Sequence, residues 1–272
     1  MDRDNKPLAG KRIVVTRAPE QAPTFVRALN ETGADVAILP CIDFAPPEDW
    51  SALDSALSRL AVFDWIAFTS QNAVRFFSRR ARELNLAPLD LRITGTKIAA
   101  LGTATAEVAK REALPPDFVA ATARSGAEFV AAFTPLARGT KILLPASDQA
   151  GDRIAEALRN VGADVTLAVA YRTYMPESLD GRVLARIRNE GADLIFFGSP
   201  SAFRNFTQMV SRDTLEWFVG RCAFGAIGPT TAQAIRDAGL RVDFEAPRPN
   251  TSDIIKAMTD YFASTNRETA RK

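Results

Sequence analysis

The sequence predicts an α/β protein made of two similar, doubly wound parallel-sheet lobes that arose by internal duplication. Three observations lead there. Gly33-Ala34-Asp35-Val36 recurs as Gly162-Ala163-Asp164-Val165, an offset of 129 residues (33 to 162). Short continuous apolar runs, as expected for strands buried on both faces, alternate with segments of helical periodicity. The offset holds across several separate motifs and then shortens once, to 126, as a three-residue deletion between copies would require.

In chain order, Arg12–Thr16 (RIVVT) is the first buried strand. Pro19-Glu20 opens a helix with Phe25, Val26 and Leu29 at helical spacing, closed by Gly33 as a C-cap. Val36–Leu39 is the next strand. Trp50–Leu60 reads as an amphipathic helix through Leu53, Leu57 and Leu60. Trp65–Phe68 (WIAF) is a buried strand, and Ser70 suits the N-cap of the helix carrying Val74 and Phe77. Lys97–Leu101 runs into Gly102-Thr103-Ala104-Thr105 and a helix through Val108. Ser125-Gly126-Ala127-Glu128 is a capping box.

From Lys141 the pattern restarts. Ile142–Leu144 answers Ile13–Val15, and Asp193–Phe197 answers Asp64–Phe68, both at 129. Ser199, Ala202, Arg204 and Phe206 answer Ser70, Ala73, Arg75 and Phe77. At 126, Gly228-Pro229-Thr230-Thr231-Ala232 answers Gly102-Thr103-Ala104-Thr105-Ala106, and Thr251-Ser252 answers Ser125-Gly126. The polar tail Thr265–Lys272 is expected to fray.

Composition narrows the function. Of 272 residues, 47% are hydrophobic and 24% charged, as in an ordinary globular protein with a real core. A net charge of +2 argues against a nucleic-acid footprint. The chain has no histidine, which removes the commonest acid–base group and catalytic metal ligand. Cys41 and Cys222 fit no metal spacing and point to a reducing compartment. The charged start MDRDNKPLAGKR lacks the apolar core of a signal peptide, and no run is long enough to span a membrane. A cytoplasmic location is expected.

Ligands of open parallel sheets bind beyond the carboxyl ends of the strands, where helix N-termini point. Thr69–Asn72, Gly102–Thr105, Gly198–Ser201 and Gly228–Thr231 are strand-to-helix turns of that kind. Each joins hydroxyls to unpaired backbone N–H groups, an arrangement that suits anions. Each hydroxyl, taken singly, also fits a purely structural N-cap. As a set they indicate a ligand with several negative groups. Arg17, at the end of the first strand, fits a carboxylate clamp or a solvated surface arginine. Arg75 and Arg204 fit a solvated helix face, and Phe76–Phe77 and Phe196–Phe197 fit core. There is no Walker A sequence and no Gly-x-Gly-x-x-Gly after the first strand, so no nucleotide cofactor is expected.

Four stretches together resemble the uroporphyrinogen-III synthase family: Phe68–Val74 (FTSQNAV), Phe197–Ala202 (FGSPSA), Ile227–Ala232 (IGPTTA) and Ala170–Thr173 (AYRT). The resemblance spans about Arg12 to Tyr261. It implies two α/β lobes joined by a two-stranded linker, with a cleft for the linear tetrapyrrole hydroxymethylbilane. It also implies lobes discontinuous in sequence, roughly 1–40 with 174–272 and 46–167, joined by linkers at 40–47 and 168–176. The departure is Pro145-Ala146-Ser147-Asp148, where bacterial relatives often carry Arg-Gly, so no arginine contact is expected from this turn.

The implied reaction is cyclisation to uroporphyrinogen III, with inversion of ring D and loss of water. It is above all a positioning problem, which a protein without histidine can solve. By similarity Tyr171 is the candidate proton donor for the departing hydroxyl; its place in the other copy is held by Ile42. An ordinary strand tyrosine is the structural alternative. Arg17, Ser70, Thr105, Ser199, Gly228, Thr230 and Thr231 are the candidate substrate contacts. No metal or organic cofactor is implied. A monomer is expected, with room for transient contact with the preceding pathway enzyme and with no nucleic-acid or membrane partner. The rival reading is a non-catalytic cytoplasmic two-lobed binding protein for an anionic small molecule.

Overall fold

The computed structural model describes residues 6–19, 22–86, 95–123, 125–149 and 151–269. The strands are β1 (Arg12–Val15), β2 (Asp35–Ile38), β3 (Asp43–Ala45), β4 (Trp65–Phe68), β5 (Lys97–Leu101), β6 (Phe118–Ala120), β7 (Lys141–Ser147), β8 (Asp164–Tyr174), β9 (Leu194–Phe197), β10 (Ala223–Ala226) and β11 (Phe244–Glu245). The helices are α1 (Ala22–Glu31), α2 (Ser51–Ser58), α3 (Gln71–Glu83), α4 (Gly102–Arg111), α5 (Gly126–Ala137), α6 (Gly151–Asn160), α7 (Gly181–Glu190), α8 (Pro200–Met209), α9 (Arg212–Arg221), α10 (Pro229–Asp237) and α11 (Thr251–Thr269).

Two compact units result: Met1–Asp43 with Tyr174–Lys272, called unit 1, and Phe44–Thr173, called unit 2. The sheet of unit 1 runs β11-β10-β9-β1-β2, and that of unit 2 runs β3-β8-β7-β4-β5-β6. When strands are matched by the sequence offsets, the two orders coincide, with β3 added at one edge.

The repeat extends to individual hydrogen bonds. The Arg12 amide donates to Asp193 Oδ2 at 2.7 Å, and its counterpart, the Lys141 amide, to Asp64 Oδ2 at 2.8 Å. At the other offset, the Ile98 amide donates to Asp117 Oδ2 at 2.8 Å and the Phe224 amide to Asp243 Oδ2 at 2.7 Å. Each aspartate thus ties the start of a neighbouring strand in register. Gly33 and Gly162, with φ of 89° and 94°, end α1 and α6 in the left-handed region that glycine adopts without penalty.

The continuous apolar strands follow from burial on both faces. In β9, Ile195 and Phe197 join the cluster packed by α8 and α10, while Leu194 and Phe196 join the one packed by α1 and α11. In β4, Ile66 and Phe68 face α3, while Trp65 and Ala67 face α5 and α6. Full burial of one such phenylalanine contributes about 1.5–3 kcal/mol. Cys41 and Cys222 are buried free thiols, each pushed up to about 12 by desolvation, and so unreactive in the folded chain.

Three details differ from the sequence expectation. The opening expected at Pro19-Glu20 is not among them, since Glu20 lies outside the described residues. Trp50–Leu60 resolves into α2 and a single 3-10 turn at Leu60–Val62. Strand β7 does not stop before Pro145 but continues to Ser147, with an irregularity between Ala146 and Ser147. Helix α11 continues through Thr269 where fraying was expected from Thr265; residues 270–272 lie outside the described residues.

Candidate active site

Each sheet has a topological switch point, a place where the chain leaves adjacent parallel strands toward opposite faces. There the loops diverge and leave a crevice at the carboxyl edge. In unit 1 it falls between β1 and β9, because α1 and α8 pack on opposite faces. In unit 2 it falls between β4 and β7, followed by α3 and α6 on opposite faces.

Strand β8 carries Tyr171 to the unit 2 switch point. Its phenol oxygen lies 3.0 Å from Ser70 Oγ, just past the end of β4, and is hydrogen-bonded by the Ser147 side chain at the end of β7. Ser70 Oγ also accepts from the Ala73 amide at 3.0 Å, so it caps α3 while holding the phenol. The Tyr171 ring is buried at 7% exposure, stacked on Phe76 at 5.5 Å and met edge-on by Phe44 at 5.7 Å. Burial pushes the phenol above its ordinary value, and the charge of Asp148 adds to this. Hydrogen bonds with Ser70 and Ser147 oppose the shift. Tyr171 therefore remains a protonated donor at neutral pH.

At the unit 1 switch point, Ser199 caps α8 by accepting from the Ala202 amide at 3.0 Å. Arg17 lies half-buried beside it, its guanidinium carbon 4.6 Å from the Phe25 ring centre. Burial lowers this guanidinium to about 10. Arg17 is thus not the freely solvated arginine that sequence alone allowed.

At the other two turns the hydroxyls do not take the purely structural N-cap role that the sequence also allowed. Helix α4 already begins at Gly102, whose φ is 77°, and its N-cap is Leu101 with no side-chain hydrogen bond. Gly228 is the N-cap of α10, again without a side-chain cap. Thr105 and its repeat counterpart Thr231 lie buried inside the first turns of these helices, at 5% and 0% exposure, while Thr230 is exposed. Thr231 Oγ1 has no hydrogen-bond partner among the described residues. Arg204 is exposed; Arg75 donates to Asn72 Oδ1 at 3.2 Å, within the first turn of its own helix.

Sequence reasoning missed Ser147 and Asp148, while Phe76, read as core, is core and also stacks on Tyr171. A signal existed: Ala146 is the repeat counterpart of Arg17, which places Ser147 and Asp148 at the matching strand end.

Two parallel α/β units, each with a crevice at the carboxyl edge of its sheet, place the chain among the open-sheet α/β proteins. The sequence pattern of the family described as uroporphyrinogen-III synthase HemD matches residues 23–256, and the chain belongs to that family. It is 29% identical over 268 residues to the uroporphyrinogen-III synthase of Synechococcus elongatus, covering 96% of this chain and 98% of that one. The enzyme of the same name from Chlorobaculum parvum is 28% identical over 236 residues, covering 86% and 92%. Among solved structures, the uroporphyrinogen-III synthetase of Helicobacter pylori superimposes with a TM-score of 0.60 at 18% identity, covering 90% of this chain and 97% of that one. The Thermus thermophilus synthase gives 0.59 at 16%, covering 94% and 100%; both likenesses concern the fold.

Proposed function

We propose that this chain closes hydroxymethylbilane to uroporphyrinogen III, inverting ring D and releasing water. The family match across residues 23–256 carries this reading. In it, the discontinuous and the continuous unit are the two lobes of the enzyme, which acts as a cytoplasmic monomer and meets the preceding pathway enzyme only transiently. Among the described residues, no helix is long and apolar enough to cross a membrane.

Tyr171 donates its proton as the terminal C–O bond breaks and the hydroxyl leaves as water. Its buried, un-ionised phenol supports this role. The electron-deficient terminal carbon is then attacked by the substituted carbon of ring D. Rearrangement through the spiro intermediate inverts that ring, and the proton lost on rearomatisation restores the phenol. Ser70 and Ser147 fix the phenol's direction. Arg17, Ser70, Thr105, Ser199, Gly228, Thr230 and Thr231 lie at strand carboxyl edges, where hydroxyls and free amides meet acetate and propionate groups.

Incubating the purified chain with hydroxymethylbilane and separating the oxidised uroporphyrin isomers tests the reading. Type III product is expected. Type I alone, as in the enzyme-free control, would reject it, and binding without any change of isomer would favour a non-catalytic ligand carrier.

Turnover should be unchanged by dialysis against a chelator, since the described residues contain no group of three or more candidate metal-binding side chains. A loss restored by zinc or magnesium would contradict this. A second expectation concerns Thr231→Val, which removes a buried, unpartnered hydroxyl at nearly constant shape. It should stabilise the fold by about 1 kcal/mol, because a desolvated polar group without a partner is costly. If the hydroxyl meets a substrate carboxylate, KM should rise by about tenfold at the same time. A lower melting temperature would show that Thr231 has a structural partner.

A further inference from the structure

We propose that the two switch points have diverged into different tasks: Arg17 is the fixed cation that holds one substrate carboxylate in unit 1, with no counterpart in unit 2. This rests on the reading above and narrows the part that Arg17 plays in it.

The side chain is held in place. The guanidinium carbon lies 4.6 Å from the Phe25 ring centre and 5.8 Å from that of Phe196. A Cβ on Gly198 would sit 3.2 Å from Arg17 Cγ and 3.3 Å from Nε, so the chain crosses from the end of β1 over the turn that follows β9. A larger residue at 198 would displace it.

Among the described residues its charge is unanswered. Arg17 makes no ion pair or side-chain hydrogen bond among the described residues. Arg80 shows the contrast: its side chain is 21% exposed, yet it is paired with Asp54 at 2.6 Å and Glu83 at 3.1 Å. The half-buried guanidinium has exchanged hydration for two ring contacts but, among the described residues, for no anion. Its planar, forked donors suit a carboxylate supplied from outside.

The niche belongs to one copy. At the 129-residue offset, Arg17 answers Ala146, Phe25 answers Ile154, Phe196 answers Ala67 and Gly198 answers Thr69. The cation, its aromatic shelf and the glycine that admits it are all absent from unit 2. Conversely, Tyr171, Ser147 and Phe76 answer Ile42, Ala18 and Asn205. One switch point has kept a cation and the other a phenol.

The test is a comparison of Arg17→Gln, Arg17→Met and Arg17→Lys. With hydroxymethylbilane as substrate, Gln and Met should raise KM by roughly 30- to 300-fold while kcat falls less than threefold, and Lys should recover part of the loss. Melting temperature should be unchanged or higher for Arg17→Met, because no unpaired cation is then desolvated. A KM within twofold of the parent chain for Gln and Met overturns the proposal, as does a lower melting temperature with unchanged KM. The Arg17 Nε–H resonance, titrated with benzenehexacarboxylate, reports the anion site without turnover. A saturable shift in the parent chain, with affinity lost in Arg17→Met, is expected, and equal affinity in both overturns the site. If the parent chain fails to convert hydroxymethylbilane but shows the shift, the assigned reaction falls and the anion site stands.

Discussion

Tyr171→Phe is expected to lower turnover by about tenfold to a thousandfold while leaving the fold nearly intact. The variant keeps the ring between Phe76 and Phe44 and removes only the hydroxyl. A general acid contributes typically 10²–10⁴-fold, and positioning of the substrate would still favour inversion, so the loss should be incomplete. Ser70 and Ser147 each lose a hydrogen bond, at about 1 kcal/mol, which lowers the melting temperature by only a few degrees. Measured together, kcat and melting temperature separate the two roles. A purely structural hydroxyl would give lower stability with near-normal turnover, and that result would remove Tyr171 from the catalytic assignment.

Gly225→Ala is expected to destabilise unit 1 severely. A Cβ there would lie 2.3 Å from Cε1 and Cζ of Phe244, inside any permitted contact. The Phe244 ring stacks on Phe196 at 6.4 Å and meets Tyr261 at 6.1 Å, so it cannot swing aside without breaking those contacts. Overpacking of this kind costs about 3 kcal/mol, equivalent to a fall in melting temperature near 10 °C. Thermal unfolding of Gly225→Ala, Phe244→Ala and the double variant checks this. If the clash is the cause, the double variant should be no less stable than Phe244→Ala alone. Additive losses would place the damage elsewhere.

Much of the fold was legible because the two halves place the same residue types at the same physical tasks. Gly33 and Gly162 mark the same left-handed turn, and Ser70 and Ser199 the same helix cap. The strands were read correctly where apolar runs were continuous, since burial on both faces demands that pattern. Strand β7 misled because proline reads as a terminator. Pro145 is tolerated since the pairing of β7 with β4 covers only Ile142 and Leu143 on the β7 side, leaving one edge of the later residues free of that ladder. With β7 stopped early, Ser147 was out of view as a partner of Tyr171. The turns Gly102–Thr105 and Gly228–Thr231 looked like caps because a hydroxyl near a helix start is ambiguous by a residue or two. Only the backbone shows that Thr105 and Thr231 lie inside the first turn. The ionic isolation of Arg17 was invisible in the sequence, because it depends on what does not approach the side chain in three dimensions.

The hydrogen bond from the Arg12 amide to Asp193 joins residues 181 positions apart, and β1 and β9 are neighbours in one sheet. As the nascent chain leaves the ribosome, Phe44–Thr173 is available whole, and its sheet can close before synthesis ends. Strands β1 and β2 emerge first yet must wait for β9, holding an unpaired apolar edge exposed through the intervening period. Parallel pairing over so long a separation is slow, and waiting edges of this kind recruit other chains. The vectorial order of translation therefore leaves β1 and β2 unsecured until β9 has emerged, and the burden on chaperones falls on the discontinuous unit.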